Sequence, residues 1–465
     1  MKILLVQSIK DKKRVLNLMP HLGLGYLATS LREKGTVQIL DCVKEKFDFD
    51  DFAFFIKKNQ PTVVGFTMFS SDSESVKQGI EIVKRINPNI VTVVGGPHPS
   101  GDSHGTMKYL PEVDFAFKGE AETSFPLLID LLLNGNSADE RQFSAIPGLV
   151  WKKDNTIVCN QPKFSDDLDS LGFPSWDLIM PHTYKGVPNG VFLKQAPFAP
   201  IITTRGCPYA CTFCAGHNVT GKKIRRRTID HIIEEIKILH LKYGIREIHI
   251  EDDNFTFDNE FAKKVCEEII RLNYPLTFSC PNGVRLDRVD RELLELMKRA
   301  GWYIIFVGIE SGSERILKHM KKSLKKEQIR EKVSLIRDVG LEASGYFILG
   351  YPEETKEDIY ETIRFARSLD LNWAQFATFI PIPGSDIIHS SKIHIFDENV
   401  NWTNFFNTEV PYSPPGISKK ELKKLQKEAF YSFYVRPKVI WQLIKKIRRD
   451  NFRLIMRRCF AYLFN

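Results

Sequence analysis

The sequence contains no long apolar run. None of its hydrophobic stretches approaches the ~18 residues that a membrane-spanning helix needs. Residues 1–7 contain one lysine and a short apolar run typical of a β-strand, which is too short for the apolar part of a secretory signal. We therefore expect a cytoplasmic protein.

Cysteine is scarce as well. Five of the eight cysteines are scattered, mostly in apolar surroundings: Cys42, Cys159, Cys266, Cys280 and Cys459. Reduced structural thiols explain this pattern better than disulfides do, which suits a reducing compartment. The other three cysteines lie within a stretch of eight residues, and this stretch needs a chemical explanation.

Acidic residues are nearly absent from the C-terminal end. The net charge of the chain is +9, and residues 431–465 contain nine Lys or Arg and one acidic residue, so the rest of the chain is close to neutral. This distribution does not favour a general nucleic-acid surface. Apolar side chains between the basic ones predict an amphipathic tail: Ile440, Leu443, Ile444, Ile447, Leu454 and Ile455. Such a tail binds a membrane surface or a partner, or packs across the rest of the protein.

Strand-like and helix-like segments alternate in two blocks. The first block has strands predicted at 3–6, 37–40, 63–66, 91–94 and 113–117, which indicates a doubly wound α/β domain with a parallel sheet. The second block has six strand–helix units, with strands at 201–204, 247–251, 276–280, 303–307, 342–349 and 373–379. Six units are short of the eight that close a full barrel, so we predict an open (β/α)6 barrel.

These blocks divide the chain of 465 residues into four predicted regions. The doubly wound domain covers 1–135, a connector covers 136–198, the barrel covers 199–390, and a helical region with the basic tail covers 391–465. The connector contains a small hairpin around Asp154-Asn155 and then many prolines. Its aromatic residues predict that it packs between the two domains and is not a free tether.

Loops at the carboxyl ends of the first block's strands contain small residues. They lie at 20–26, 67–71 and 95–99, and Gly119-Glu120 follows the fifth strand at the same edge. A single loop of this kind is usually turn chemistry alone. Because ligands of doubly wound sheets bind at these strand ends, the recurrence predicts a bound nucleotide-like ligand.

The three clustered cysteines follow the first barrel strand, in the spacing Cys207-x3-Cys211-x2-Cys214. Three thiolates can hold three corners of a metal cluster and leave the fourth metal position open to a ligand. A zinc site with His217 as the fourth ligand is the alternative, although this spacing is unusual for zinc.

This loop, with Phe213 before its last cysteine and a six-fold β/α repeat around it, resembles the radical S-adenosylmethionine (SAM) superfamily. The resemblance implies a four-iron, four-sulfur cluster on Cys207, Cys211 and Cys214, whose open iron binds SAM. A one-electron reductant such as flavodoxin or ferredoxin would then drive cleavage of SAM to a 5'-deoxyadenosyl radical.

Motifs at the next five strand ends carry the same resemblance, at 251–255, 281–285, 308–313, 348–355 and 381–385. They imply SAM contacts at Phe213, Asp252, Asp253, Arg285, Glu310, Ser311, Ile348 and Gly350. Tyr346 is a departure, because some members have glycine there. A surface salt bridge is the alternative for any one charged residue, but it does not explain five successive strand ends. The basic run 222–227 could be a nucleic-acid patch, but Arg225, Arg227 and Thr228 match an R-x-R-[ST] element of the branch, which favours support of the cofactor end of the barrel. The resemblance assigns no catalytic acid or base.

The first domain is similar to the cobalamin-binding domain of one large branch of this superfamily, through segments 20–31, 94–98 and 114–122. The similarity implies cobalamin contacts at Gly23, Gly25, Ser70, Ser71, Gly95, Gly96, His98, Gly119 and Glu120. Val43 stands where some cobalamin domains have the histidine that ligates cobalt. Cobalamin would therefore bind without a lower histidine ligand.

Resemblance to this branch implies methylation of an unactivated carbon in a small-molecule substrate. The amphipathic tail favours a hydrophobic substrate, such as a lipid, an isoprenoid or a tetrapyrrole, and peripheral contact with the inner face of the membrane; a natural product is a further possibility. Two alternatives remain open. One is a radical cyclisation or ring rearrangement of the anaerobic magnesium-protoporphyrin cyclase type, and the other is a cobalamin and iron–sulfur sensor without turnover. We expect no nucleic-acid partner.

Overall fold

The computed structural model describes residues 1–9, 18–133, 140–184, 193–389, 410–437 and 439–441. The strands of the first half are β1 (Lys2–Gln7), β2 (Thr36–Asp41), β3 (Val63–Thr67), β4 (Val91–Gly95), β5 (Phe115–Phe117), β6 (Leu149–Lys153) and β7 (Thr156–Cys159). The helices are α1 (Leu22–Leu31), α2 (Cys42–Glu45), α3 (Phe49–Asn59), α4 (Ser73–Ile86), α5 (Pro97–Gly101), α6 (Ser103–Tyr109), α7 (Phe125–Leu133) and α8 (Glu140–Ser144).

These seven strands form one sheet in the order β2-β1-β3-β4-β5-β6-β7, and the first five run parallel. β1 and β3 are buried along almost their whole length, as expected for apolar strands covered by helices on both faces. This confirms the doubly wound α/β fold. The strand order switches direction between β1 and β3, and ligands of such sheets bind outside the carboxyl ends at this switch point.

The hairpin of β6 and β7 lies within the predicted connector, yet it extends the first sheet. β6 pairs antiparallel with β5, with Trp151 opposite Phe115, and β7 pairs antiparallel with β6. Trp151 is buried, and its ring centroid lies 6.0 Å from that of Phe143. The apolar residues of the hairpin therefore complete the core of the first sheet.

The connector segment after the hairpin packs between the two halves. It contains α9 (Trp176–Ile179), and the Trp176 indole N–H donates to the buried Glu235 of the second half (2.9 Å). On its other side, a Cβ at Gly25 would lie 2.5 Å from the Ile179 side chain. Glycine at position 25 therefore allows α1 to approach the connector closely.

The strands of the second half are β8 (Phe198–Ile201), β9 (Thr204–Arg205), β10 (Arg225–Arg226), β11 (Glu247–Ile250), β12 (Thr277–Ser279), β13 (Ile304–Glu310), β14 (Glu342–Leu349) and β15 (Trp373–Thr378). The helices are α10 (Gly216–Thr220), α11 (Ile229–Tyr243), α12 (Asn259–Leu272), α13 (Arg291–Ala300), α14 (Glu314–His319), α15 (Lys326–Asp338), α16 (Lys356–Ser368) and α17 (Lys419–Tyr434). α12 begins at the capping carboxylate of Asp258 and ends at Asn273, whose backbone is left-handed.

Six of these strands form the partial barrel. β8, β11 and β12 pair in parallel, as do β13, β14 and β15, and single bridges at Trp302 and Val284 connect the two groups. The first strand lies three residues earlier than predicted, because residues 202–203 form a turn before β9. Ile248 and Phe278 belong to the core under the helices. Since side chains alternate along a strand, His249 and Ser279 point to the interior of the barrel, which we call the lumen.

α17 packs on the last strands of the barrel. A Cβ at Gly350 would lie 2.3 Å from Leu422, and the Gln426 side-chain amide donates to the Phe376 carbonyl (2.8 Å). Most of the predicted amphipathic tail, residues 442–465, lies outside the described residues. Within the part that is described, no helix combines the length and apolar character needed to cross a bilayer.

Candidate functional site

Asp252, at the end of β11, holds the turn that leads into the cysteine loop. Its carboxylate accepts hydrogen bonds from the backbone N–H groups of Thr203 (2.6 Å) and Thr204 (3.0 Å) and from both of their hydroxyls. Asp252 is buried, and burial raises its pKa to about 6. Because these four donors occupy its two oxygens, we infer that Asp252 positions the loop. Its predicted contact with SAM stays a prediction.

Asp253 lies beside the same loop. It accepts hydrogen bonds from the Gly206 N–H (3.2 Å) and the Thr220 hydroxyl (2.6 Å). Its charge acts on the thiols of Cys207 and Cys214. Asp253 is therefore next to the predicted cluster, and its contact with SAM stays a prediction.

Cys207 and Cys211 are half-buried, and Cys214, an exposed residue, accepts a hydrogen bond at its sulfur from the Gly216 N–H (3.4 Å). Burial raises the pKa of the Cys207 thiol. Cys214 is exposed as a residue, but desolvation of its sulfur raises the pKa of that thiol to about 11, so an arriving metal must displace both protons. Among the described residues, no three His, Cys, Asp or Glu side chains converge as a single metal ion requires. Three thiols spread along one loop fit a cluster, in which each thiolate binds a different iron.

Two buried cations lie behind the thiols. Lys322 pairs with Glu310 (2.8 Å), and Arg285 donates to the backbone carbonyl of Lys322 (3.0 Å). The charge of Arg285 acts on Cys207 and that of Lys322 on Cys211. Arg285 also pairs with Asp287 (2.9 Å), so each cation has its own carboxylate partner beside a loop that would carry three thiolates. Sequence reading missed Lys322, because it lies on a connecting segment without a motif.

Glu310 has a strained backbone. Its φ is +68°, and the register between β13 and β14 shifts between Gly308 and Glu310. A Cβ at Gly308 would lie 2.4 Å from a carboxylate oxygen of Glu310 and 2.8 Å from Nζ of Lys322, so glycine makes room for this ion pair. Left-handed backbone at a residue other than glycine clusters at functional sites. The strain supports Glu310 as a predicted contact for the SAM ribose.

Phe213 and Ile348 form one apolar wall next to the cysteines. They pack against the same small cluster of buried side chains, which contains Ile316, Met320, Tyr351 and Phe379. The Thr212 hydroxyl also lies 2.7 Å from the Tyr351 hydroxyl. The wall therefore fixes the loop segment between the second and third cysteines.

Ser311 and Gly350, two further predicted SAM contacts, have structural roles. The Ser311 side chain is fully buried and lies 3.1 Å from the Thr362 hydroxyl of α16. Gly350 has a φ of +79° and faces Leu422 of α17. Both positions serve the packing of helices on the barrel, and their contact with SAM stays a prediction.

In the first domain, small residues form an open edge after β3 and β4. A Cβ at Gly95 would meet no atom within 4 Å, and Gly96 has a φ of +108°. The Ser70 hydroxyl lies 2.8 Å from Nδ1 of His98, and Ser71 donates to Asp72 (3.1 Å). An unobstructed edge at the switch point of the sheet fits a large ligand such as cobalamin.

The remaining glycines predicted to bind cobalamin differ from these. Gly23 is exposed in the first turn of α1, whereas Gly25 packs on the connector. Gly119 has a φ of +77°, and a Cβ there would lie 2.9 Å from Pro162. Packing against the connector explains why glycine stands at positions 25 and 119, and the contact of these residues with cobalamin stays a prediction.

The segment without a lower-ligand histidine is a helix start. Asp41 accepts hydrogen bonds from the N–H groups of Val43 and Lys44 (3.0 Å each) and from the Tyr184 hydroxyl (2.9 Å). Val43 lies in the first turn of α2. Asp41 is therefore occupied by capping and by the connector.

Glu120, predicted to contact cobalamin, binds two arginines of the second half. Arg225 donates to both of its oxygens (2.6 and 2.7 Å), and Arg205 lies 3.3 Å from Glu120 and 2.8 Å from Glu122. All four side chains are buried. These side chains form an ion-pair network, which we call the interdomain network, and the contact of Glu120 with cobalamin stays a prediction. The network ends two residues before Cys207, and sequence reading missed it because its partners are up to 105 residues apart.

α5 also meets the second half directly. A Cβ at Gly101 would lie 2.1 Å from the carbonyl oxygen of Pro383, and Asn218 of α10 donates to the Gly384 carbonyl (2.8 Å). The open edge of the first domain, the helix after the cysteines and the loop after β15 therefore meet. We call the space between the open edge and the cysteine loop the chamber.

His98 makes the stability of this edge depend on pH. Burial lowers the pKa of His98 from 6.5 to about 4. Below pH 6.5 the unfolded chain therefore binds a proton that the folded chain does not bind until about pH 4, so stability falls as the pH falls through this window. We expect His98 to lower the free energy of unfolding by about 2 kcal/mol between pH 7 and pH 5.

Urea unfolding at both pH values, in the wild type and in His98→Asn, measures this contribution. The variant lacks the titrating ring, so its loss of stability on acidification should be smaller by that amount. The same pH dependence in both proteins would show that His98 is not kept neutral by burial.

Comparison with known proteins identifies the same two domains. Two family profiles match the chain, the Radical SAM superfamily over residues 201–366 and the B12 binding domain over residues 13–129. An uncharacterized methyltransferase from Pyrococcus horikoshii is 34% identical and covers 98% of this chain and 97% of its own length. An anaerobic magnesium-protoporphyrin IX monomethyl ester cyclase from Rubrivivax gelatinosus is 26% identical and covers 81% of this chain and 68% of its own length.

A solved structure shows the same fold. The radical SAM methyltransferase TsrM from Kitasatospora setae, with cobalamin and a [4Fe-4S] cluster bound, matches with a TM-score of 0.67 and 20% identity, over 83% of this chain and 73% of TsrM. The chain therefore belongs to the cobalamin-dependent radical SAM methyltransferase family, whose enzymes use an iron–sulfur cluster, SAM and cobalamin.

Proposed function

We propose that this enzyme methylates an unactivated carbon of a small-molecule substrate that binds in the chamber. The observation that carries the proposal is the junction of Gly101, Pro383 and Asn218, which brings the two cofactor-binding edges together. When bound, SAM and cobalamin supply the methyl group, and the cluster with SAM supplies radical chemistry.

The residues of the chain position these groups and control their surroundings. Asp252 fixes the entry to the cysteine loop through its four hydrogen bonds. Lys322 and Arg285, each paired with a carboxylate, lie near enough to the thiols for their charges to act on Cys211 and Cys207. The wall of Phe213 and Ile348 excludes water from one side of the loop, which strengthens the electrostatic interactions there.

We further propose that the substrate has an apolar body. Phe69, on the loop after β3, is 42% exposed, and Ile382, on the loop after β15, is also 42% exposed. Both loops border the chamber, and large apolar side chains exposed at a binding edge favour an apolar ligand. This agrees with a lipid, isoprenoid or tetrapyrrole substrate.

Radical cyclisation or ring rearrangement is the second candidate. The similarity to the Rubrivivax gelatinosus cyclase over 81% of this chain favours it. The two reactions differ in their use of SAM, because methylation consumes its methyl group and cyclisation does not.

We expect methylation to produce S-adenosylhomocysteine and 5'-deoxyadenosine in about equal amounts, because one SAM gives up its methyl group and another is cleaved. The reconstituted enzyme would be supplied with methyl-labelled SAM, reduced flavodoxin and a lipid extract. Mass spectrometry should then find the label in a lipid product.

Enzyme prepared without cobalamin is the control, and it should form no labelled product. Cyclisation would yield 5'-deoxyadenosine without S-adenosylhomocysteine and without label in the product. Labelled product from the cobalamin-free enzyme would contradict the proposed use of cobalamin.

A further inference from the structure

Several buried polar atoms of the second half have no hydrogen-bond partner among the described residues, and three of them lie together on β11, on β12 and just after β11: His249 Nδ1, Ser279 Oγ and Glu251 Oε1. His249 and Ser279 are register partners on β11 and β12, and Glu251 lies two residues beyond His249. The three side chains therefore share the lumen face. Since each unpartnered buried group costs about 1–3 kcal/mol, three of them on one face need an explanation.

Below these three side chains, at Glu247 on β11, the hydrogen bonds are all made by the protein. Glu247 accepts hydrogen bonds from the Gln195 N–H (2.7 Å), the Tyr303 hydroxyl (2.8 Å) and the Thr277 hydroxyl (3.1 Å). His249 Nε2 lies 2.8 Å from the same carboxylate. Residues of the protein thus satisfy the hydrogen-bonding capacity of Glu247. The three atoms above it have no partner among the described residues, so a partner from outside the chain would have to satisfy them.

The Glu247 carboxylate also determines whether that partner must donate or accept hydrogen bonds. Because this carboxylate only accepts, Nε2 of His249 carries the ring proton and donates to it. With its single ring proton on Nε2, the ring presents Nδ1 as an acceptor. The free oxygen of Glu251 accepts as well when its carboxyl group is ionised, and the Ser279 hydroxyl can donate or accept. A complementary ligand group must therefore be rich in hydrogen-bond donors.

Glu251 connects this level with the predicted SAM site. Burial raises the pKa of Glu251 to about 7, and its charge acts on Tyr346, as does the charge of Glu310. The Tyr346 hydroxyl donates to the Pro281 carbonyl (2.6 Å), and its ring stacks on Phe306 with 5.7 Å between centroids. Glu251 and Glu310 therefore both lie near Tyr346, so a molecule bound at Glu251 would be close to the predicted SAM site.

We propose that His249, Glu251 and Ser279 form a subsite that binds a hydrogen-bond-donating group of the substrate, either a hydroxyl or an ammonium. The inference rests on the proposed function, because it takes the substrate as the molecule that enters the lumen. It adds a polar end to a substrate whose apolar body contacts Phe69 and Ile382. Ordered water is the competing occupant, since buried waters commonly satisfy such atoms.

Four fragments of similar length test this subsite: n-butanol, n-butylammonium, butyrate and butyl methyl ether. The thermal midpoint of the holoenzyme with SAM bound is measured with each fragment at one common concentration. A ligand that binds the folded state raises this midpoint. We expect the alcohol and the ammonium to bind about tenfold more tightly than the other two, which corresponds to one net hydrogen bond.

Glu251→Gln should reduce the preference for n-butylammonium about tenfold, because the amide replaces an acceptor of higher charge. Glu267→Gln, on the exposed face of α12, is the matched control and should retain the preference. If Glu251→Gln fails to fold, Ser279→Ala replaces it and should weaken binding of n-butanol.

Equal midpoint shifts from all four fragments, or an unchanged preference in both lumen variants, would overturn the subsite and assign these atoms to water. The subsite would also be overturned if none of the four fragments binds while SAM is present, because SAM would then occupy the space beside these three atoms. Reductive SAM cleavage is measured in the same unmodified preparation. Its absence would contradict the proposed function, whereas intact cleavage without fragment preference contradicts only the subsite.

Discussion

Replacing Cys211 with alanine should abolish reductive cleavage of SAM, because two thiolates cannot hold the cluster with its open iron in place. We expect the rate of 5'-deoxyadenosine formation to fall by more than about 100-fold, the upper end of what the loss of an outer-shell partner costs a metal site. The measurements are iron content, the visible spectrum of the anaerobically reconstituted protein, and 5'-deoxyadenosine released under reduction.

Cys159→Ala is the matched control for this substitution. Cys159 is also a free, half-buried thiol, but it lies on β7 at the edge of the first sheet, away from the cysteine loop. This variant should keep its iron and its activity. A Cys211→Ala protein that still cleaves SAM at the wild-type rate would show that the cluster is held elsewhere.

Glu120→Gln should destabilise the contact between the two halves of the protein. Glu120 accepts both donors of Arg225 at 2.6 and 2.7 Å, and all members of the interdomain network are buried. Removal of one partner from a buried ion pair leaves the other charge uncompensated, which costs about 3–5 kcal/mol. We expect a loss of this size in the free energy of unfolding, measured by urea denaturation.

A neighbouring surface pair provides the control. Lys223 and Asp166 lie 2.7 Å apart, and both side chains are 75% exposed. Because water already solvates both charges, Asp166→Asn should leave the stability nearly unchanged. Similar effects of the two substitutions would mean that the network does not hold the halves together.

The positions of the strands and helices can be predicted from the sequence more reliably than the directions in which their side chains point. The alternation of apolar segments locates all six barrel strands, and the spacing of Cys207, Cys211 and Cys214 indicates the family. Ser311 follows β13 as the motif requires, but the register shift between Gly308 and Glu310 alters which side chains face the lumen. A β-bulge depends on pairing with the neighbouring strand, so the local sequence pattern does not predict it.

Contacts between residues that are far apart in the sequence could not be predicted from the sequence either. Glu120 lies on the edge predicted for cobalamin, and its position along the sequence is consistent with that role. Its actual partners, Arg205 and Arg225, belong to a different domain, so their pairing depends on how the halves dock. The unpartnered polar atoms of the lumen could not be predicted either, because a missing hydrogen-bond partner can be recognised only when the positions of all neighbouring atoms are known.

The interdomain network also limits how this protein can be recombined. Arg205 belongs to the strand that enters the cysteine loop, but its charge is balanced by Glu120 and Glu122 of the first domain. A cobalamin domain grafted from a relative must therefore present two carboxylates at these positions, or it leaves a buried guanidinium unpaired two residues from Cys207. The two halves are consequently not interchangeable modules, and domain shuffling within the family must preserve this pair of acids.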